Sequence, residues 1–254
     1  MIASIDRTTV SLPVPATAVA VDLGSSTTGV WASHHGVVSS FTSDDATRGH
    51  AVIHRGRVAD VDGCISMLTQ LVERYPQPLR APDVVVACRP VLSTDADHAL
   101  MRRVLDAAFT PRQVLFIDTV RAAAIGAGAT AGSLLIADVG AEVTETALLE
   151  DGRLVAARRT DIGTRDLDRG ATFGTLAQTV VEHLGELRAT APEAGLAEAT
   201  ARGLLLVGDG ASHPGLPVSM AGTLGIRVHR AVTPRETALT GAGLAAASAL
   251  RHPA

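Results

Sequence analysis

The chain has 254 residues, 46% of them hydrophobic, with one Trp, one Tyr, four Phe and a formal charge of −4. It is too apolar and too weakly charged to be disordered, and its acidic balance and few stacking rings exclude an ordinary nucleic-acid binder. No apolar run reaches the roughly 18 residues of a membrane-spanning helix, and Cys64 and Cys88 form no metal-ligand cluster and suit a reducing compartment.

Residues 1–16 are polar, without periodicity and without the apolar core of a secretory signal, and read as a loose leader. Ala18–Asp22 reads as a buried strand running into the turn Leu23-Gly24-Ser25-Ser26. Thr27–Ala32 and Val37–Phe41 suit two further strands around His34-His35-Gly36. Helical spacing of Val61, Ile65, Leu68, Leu71 and Val72 predicts a helix over Asp60–Tyr75, closed by Pro76. Asp83–Cys88 is a strand. Ser93 or Thr94 then caps a helix to Phe109 with Leu100, Val104 and Leu105 as its apolar stripe. Val114–Asp118 is a strand, and Arg121–Ala127 an Ala-rich helix.

The second half starts the same way. Ser133–Asp138 predicts a strand, Val139–Glu142 a turn, Val143–Leu149 a returning strand, and Asp151-Gly152 a hairpin turn into Arg153–Thr160. A helix over Thr164–Arg188 follows, then a loop around Pro192, a strand at Leu204–Val207, a Gly-rich turn at Gly208–Ala211 and a short strand at Ile226–His229. Thr233-Pro234 opens a terminal helix to Leu250.

Comparison of the halves is the most informative step. Asp22-x-Gly24 is matched by Asp138-x-Gly140, and the same shift places Thr28 on Thr144 and Gly36 on Gly152. Four positions in one register predict an internally duplicated α/β protein, with two lobes facing one another. A strand ending in Asp before a Gly/Ser/Thr turn points backbone N–H groups into one space, which suits anionic oxygens. Two such turns face to face would grip a polyphosphate, with Asp22 and Asp138 holding the waters of a Mg²⁺ ion. The plainer reading, that both Asp side chains cap tight turns, stays open.

Four segments occur in order: AVAVDLGSSTTGVW, VLFIDTVRAAAIGAGA, LLIADVGAEVTETALLEDG and LLLVGDGASHPGL. They resemble the phosphate-1, connecting-helix, phosphate-2 and adenosine segments of the actin/Hsp70 ATPase superfamily, in wording most similar to the bacterial actins MreB/Mbl. The tail TPRETALTGAGLAAAS resembles that family's C-terminal helix. The resemblance implies two RNase-H-like lobes with mixed sheets flanked by helices and an ATP–Mg²⁺ cleft between them. It sets lobe I at 17–132 plus 233–254 and lobe II at 133–232. It implies Asp22 and Asp138 as metal residues, with Gly24, Ser25, Ser26, Thr27, Gly140 and Thr144 toward phosphate. Asp118 and Asp138 are the implied catalytic residues, Asp118 positioning water, and Gly208, Asp209 and Gly210 face adenosine. The function implied is cytoplasmic, in bacterial cell shape and cell-wall synthesis, with full-length MreB-type proteins or cell-wall synthesis proteins as partners.

The chain departs from the family pattern in two ways. Its connections after the first hairpin and after Gly163 are too short for the family's two outer subdomains, which help close the cleft and make filament contacts. In the second turn Glu142 and Val143 replace a Gly and a Thr, and near the connecting helix Asp118-Thr119-Val120 keeps one acid where the family has two. Gly163-Thr164-Arg165 replaces a Gly-Gly-Asp. Weak or absent hydrolysis is the expectation. Gly163–Asp168 equally resembles the motif of the Hsp70 and ethanolamine-utilisation branch, so a chaperone-type ATPase module, or a scaffold without nucleotide, remains an alternative.

Other residues have plain explanations. His34-His35 reads as a solvated hairpin tip and Asp44-Asp45 as loop charge. Cys64, Cys88 and Trp31 read as packing groups, and His98, His183 and His213 are not clustered in sequence. Arg102-Arg103 and Arg158-Arg159 could meet anionic lipid heads, although solvated arginines are the simpler expectation.

Overall fold

The computed structural model describes residues 16–42, 44–45 and 50–252; the leader, apart from Ala16, lies outside them. The chain runs β1 (Ala18–Leu23), β2 (Thr27–Ala32), β3 (Gly36–Thr42) and four two-residue strands, β4 (Asp44–Asp45), β5 (His50–Ala51), β6 (Ile53–His54) and β7 (Arg57–Val58). Next come α1 (Val61–Arg74), the short α2 (Pro76–Leu79), β8 (Val84–Arg89), α3 (Asp95–Phe109), β9 (Gln113–Asp118) and α4 (Thr119–Gly126). The second half holds β10 (Ser133–Val139), β11 (Thr144–Glu150), β12 (Arg153–Thr160), α5 (Phe173–Thr190), α6 (Glu193–Arg202), β13 (Leu204–Val207), α7 (Gly215–Leu224), β14 (Val228–Arg230) and α8 (Thr237–Arg251).

The duplication extends to hydrogen-bond register. The five-stranded sheets have orders β3-β2-β1-β8-β9 and β12-β11-β10-β13-β14, which are the same order in the two halves. Asp22 pairs with Gly29 across β1 and β2, and Asp138 with Glu145 across β10 and β11. The Gly24 N–H donates to the Thr27 carbonyl at 3.1 Å, and the Gly140 N–H to the Val143 carbonyl at 2.8 Å. The next pairings, β2–β3 and β11–β12, each carry a register irregularity, at Val30/Trp31 and Leu148/Leu149.

Alternation along the strands divides the core. Val19 and Val21 face α1 and α3, while Ala18 and Ala20 face the opposite side with Leu134 and Ile136 of the second sheet. Leu135 and Ala137 face α5 and α7. Helices α4 and α8 therefore form a shared layer between the sheets, and one apolar cluster spans both lobes. A β-carbon on Gly126 would lie 2.0 Å from the Thr237 carbonyl oxygen, and one on Gly241 1.8 Å from that of Ala122. The small residues of AAAIGAGA and TGAG let these two helices meet backbone to backbone.

Caps fix the helix starts. Asp60 accepts from the Gly63 N–H at 2.9 Å to open α1, and Thr94 with Asp97 forms a capping box on α3. The buried stripe of α3 is Met101, Val104, Leu105, Ala108 and Phe109; Leu100 points outward. The helix expected over Thr164–Arg188 is two elements, a 3-10 segment at Thr164–Arg169 and α5, divided at the left-handed Gly170. Helices α6 and α7 stand where only loops and turns were expected. Cys64 and Cys88 are buried, and Trp31 packs under Gly243 of α8, as expected. Asp44-Asp45 belongs to a two-stranded ribbon with β5 rather than to a loop, its side chains lying outside the described set. Arg159 corrects an expectation: only 6% of its side chain is exposed.

Candidate functional site

The turns after β1 and β10 open onto one cavity between the lobes. It holds about 840 Å³ of unfilled space, its open mouth included. Asp22, Gly24, Ser25, Ser26 and Thr27 line it from the first lobe, Asp138 and Gly140–Val143 from the second. Gly208 and Asp209 contribute the turn after β13, and Pro234, Arg235 and Ala238 the start of α8. Gly56, Cys88, Pro90, Thr119 and Glu145, with Leu23 and Val207, complete the wall.

Three of the expected site residues lie outside this lining. Asp118 is tied to Arg89, whose Nε donates to its Oδ1 at 2.9 Å. Thr144 is fully buried and donates its hydroxyl to the Ile162 carbonyl at 2.8 Å. Gly210 is buried against Val139 and Leu216. In each case a partner inside the lobe claims the group.

The cavity is strongly acidic. Asp22, Asp138, Glu142, Glu145 and Asp209 face Arg235 as the one guanidinium of the lining. Arg235 donates to Asp209 at 2.6 Å, and the Thr164 hydroxyl donates to the same carboxylate at 2.8 Å. Burial pushes the Asp22 carboxyl up to about 6. Burial, with the charges of Asp22 and Asp209, pushes Asp138 up to about 7. Glu145 rises to about 8 through burial and the neighbouring Asp138, although the Val91 N–H and Arg159 pull the other way. Burial and the same carboxylates hold the Cys88 thiol far above its ordinary range, so it is an inert packing group. Gly208 makes room for this cluster: at φ +83°, a β-carbon there would lie 2.0 Å from Asp138 Oδ1.

Glu142 behaves differently. It is 4% exposed, and burial alone would raise its carboxyl. The Arg55 N–H donates to Oε2 at 2.7 Å, Arg165 reaches Oε1 at 3.2 Å and His54 faces Oε2 at 3.2 Å, and together they hold it below the ordinary range. Arg55 and His54 sit on the β6–β7 hairpin of the first half, so Glu142 is a bond between lobes. The Arg55 guanidinium extends that bond to the Glu142 and Asp161 carbonyls, and Asp166 lies 3.4 Å away. The Gly56 N–H donates to Ser25 Oγ at 3.0 Å, which ties the same hairpin to the first turn. Arg159 is held behind the hairpin by the Arg55 carbonyl and Asp161, and its Nε and Nη1 have no hydrogen-bond partner. Sequence reasoning missed the hairpin and Arg235. The only signal for the hairpin was the unusual acid at 142, whose partner lies 87 residues away.

The acidic set fits a cation bound largely through water. Among the described residues no three His, Cys, Asp or Glu side chains form a ready-made metal cage. Mg²⁺ commonly takes one or two carboxylates and keeps its waters beside substrate phosphates, and half-buried Asp22 and buried Asp138 both face the cavity.

Residues 47–172 match the MreB/Mbl protein family model. No curated protein matches the chain in sequence. MreB5 of Spiroplasma citri bound to AMPPNP superposes with TM-score 0.82 at 14% identity, over 94% of this chain and 98% of that one. The MamK double helical filament gives 0.77 at 14% identity, over 92% and 99%. The ethanolamine utilization protein EutJ of Carboxydothermus hydrogenoformans gives 0.66 at 19% identity, over 92% and 90%. Over residues 47–172 the chain is similar to the MreB/Mbl family, and as a whole it has the two-lobed fold of the MreB5 and MamK structures.

Proposed function

We propose that the cleft binds a nucleotide with Mg²⁺ and that the chain acts in bacterial cell shape or cell-wall morphogenesis, with weak or absent hydrolysis. The convergence of two register-matched Asp turns on one acidic cavity carries this reading. Asp22 and Asp138 beside the two turns disfavour a bare polyanion, so nucleotide enters as its metal complex. Bound Mg²⁺ would supply charge neutralisation and orientation of the phosphates. Asp22 and Asp138 hold its waters, and the hydroxyls and amides of Gly24–Thr27 with Gly140 face the phosphates. Gly208 and Asp209 face the nucleoside. Asp118, bound to Arg89, is poorly placed to direct a water, which supports slow or absent turnover. The proposed lobes are 17–132 with 233–254, and 133–232, set in the cytoplasm; no helix among the described residues is long and apolar enough to cross a membrane. The proposed partners are full-length MreB-type proteins or cell-wall synthesis proteins.

The structures of MreB5 with AMPPNP and of MamK as a filament support the bacterial-actin reading by fold. The likeness to EutJ, with the motif at Gly163–Asp168, supports a chaperone-type module as the second reading. Titration calorimetry with ADP and ATP decides the first point: heat of binding with Mg²⁺ and none in excess EDTA is expected. No heat with either nucleotide at millimolar concentration contradicts it. Capture of cell-wall proteins rather than unfolded polypeptide separates the two readings.

A further inference from the structure

The two turns differ in what they offer a ligand. The first reads Gly24-Ser25-Ser26-Thr27 and the second Gly140-Ala141-Glu142-Val143, so the shift that matches them exchanges three hydroxyls for one carboxylate and two apolar groups. The Glu142 carboxylate lines the cavity beside the β6–β7 hairpin, whose Gly56 is also in the lining. It already occupies a receptor for an oxyanion: one oxygen takes the Arg55 amide and faces His54, the other takes Arg165. Backbone N–H, guanidinium and imidazole converging in this way also suit a phosphate group. With the phosphates between the two Asp turns, a phosphate reaching the second turn meets this occupied corner. A third phosphate would have to displace a carboxylate held by three groups, or lie against its charge.

We infer that Glu142 is a built-in stand-in for a terminal phosphate, and that the cleft therefore selects nucleoside diphosphates over triphosphates. The inference rests on the nucleotide reading above and names its ligand class. Because the same carboxylate bridges the hairpin to the second lobe, the closed arrangement needs no third phosphate to hold it. Glu142 is thus a specificity residue, and Arg55 and Arg165 are its holders.

The test is calorimetry with Mg²⁺–ADP and Mg²⁺–ATP on the full chain and on Glu142→Gly and Glu142→Gln, each checked for folding by circular dichroism. The native chain is expected to bind ADP at least tenfold more tightly than ATP, and Glu142→Gly to shrink that ratio at least threefold by gaining ATP affinity. Glu142→Gln keeps the size and removes the charge, so it is expected to fall between them and guards against a Gly variant that fails to fold. Equal affinities in the native chain, or a ratio unchanged in both variants, overturns the inference and leaves nucleotide binding standing. Absence of binding for both nucleotides overturns the nucleotide reading and this inference with it.

Discussion

The turn after β1 and the turn after β10 share one backbone and differ in chemistry. Each has an Asp two residues before its Gly, and each closes with the Gly N–H on a carbonyl three residues on. The first keeps its hydroxyls and its Ser25 Oγ accepts from Gly56. The second has Ala141, Glu142 and Val143, and its carboxylate clasps the opposite lobe. Duplication thus preserved the geometry that aims two Asp side chains at one space, while the groups between the aimed residues diverged. Backbone register survives because a one-residue slip would turn each strand's core face outward, whereas a turn side chain answers only to its ligand or its neighbour.

Crowding the Asp138 carboxylate from the turn after β13 should have the largest effect. Gly208→Val places a side chain onto Asp138 Oδ1 and the Val139 carbonyl at a φ of +83°. A loss of about 3 kcal/mol or more is expected from clash and strain, seen as a melting temperature lower by roughly 6–12 °C. A melting temperature unchanged in this variant would mean that the carboxylate cluster does not pack as described.

The carboxylates sharpen the comparison next. Asp138 and Glu145, raised to about 7 and 8, keep protons that the unfolded chain releases near pH 4. The folded state therefore holds more protons, and stability falls as pH rises from about 6.5 to about 8. Burial lowers His183, whose contribution is lost as pH falls below its ordinary value of 6.5, so it does not mask this window. Asp138→Asn should flatten the decline and raise the melting temperature at pH 8 by a few degrees without metal. Asp22→Asn should do less, since Asp22 rises only to about 6. Melting curves across this pH range, with Mg²⁺ absent, measure both.

A smaller change is expected in the first turn. Ser25→Ala removes the acceptor of the Gly56 N–H and costs about 1 kcal/mol, or ~2–4 °C. Chemical denaturation should resolve it, and no change would show that the Ser25 bond adds nothing to the hairpin's anchorage.

The repeated Asp-x-Gly pattern made the fold legible, because alternation and a matched turn are local properties. Helix α6 escaped because Pro192, which precedes its first residue, was taken for a loop signal, and only Gly195, Leu196 and Ala199 are buried. Helix α7 starts on Gly215 and carries Pro217 in its first turn, where proline is tolerated. Leu100 lost its place in the α3 stripe to Met101, one position along, a shift that spacing alone does not resolve. At the site, Asp22 and Asp138 were readable from their strands. The clasp was not, since Arg55 and Glu142 meet only through the tertiary fold. Arg159 reads as a surface charge from sequence, and its burial comes from the hairpin of the other half.

The central claim is that Asp22 and Asp138, from opposite lobes, act on one metal–nucleotide complex. Electron paramagnetic resonance of Mn²⁺ in place of Mg²⁺, recorded with ADP, tests it directly. The account predicts protein-bound Mn²⁺ only when ADP is present, lost in Asp22→Asn and in Asp138→Asn alike. Undiminished Mn²⁺–ADP binding in either variant would contradict it.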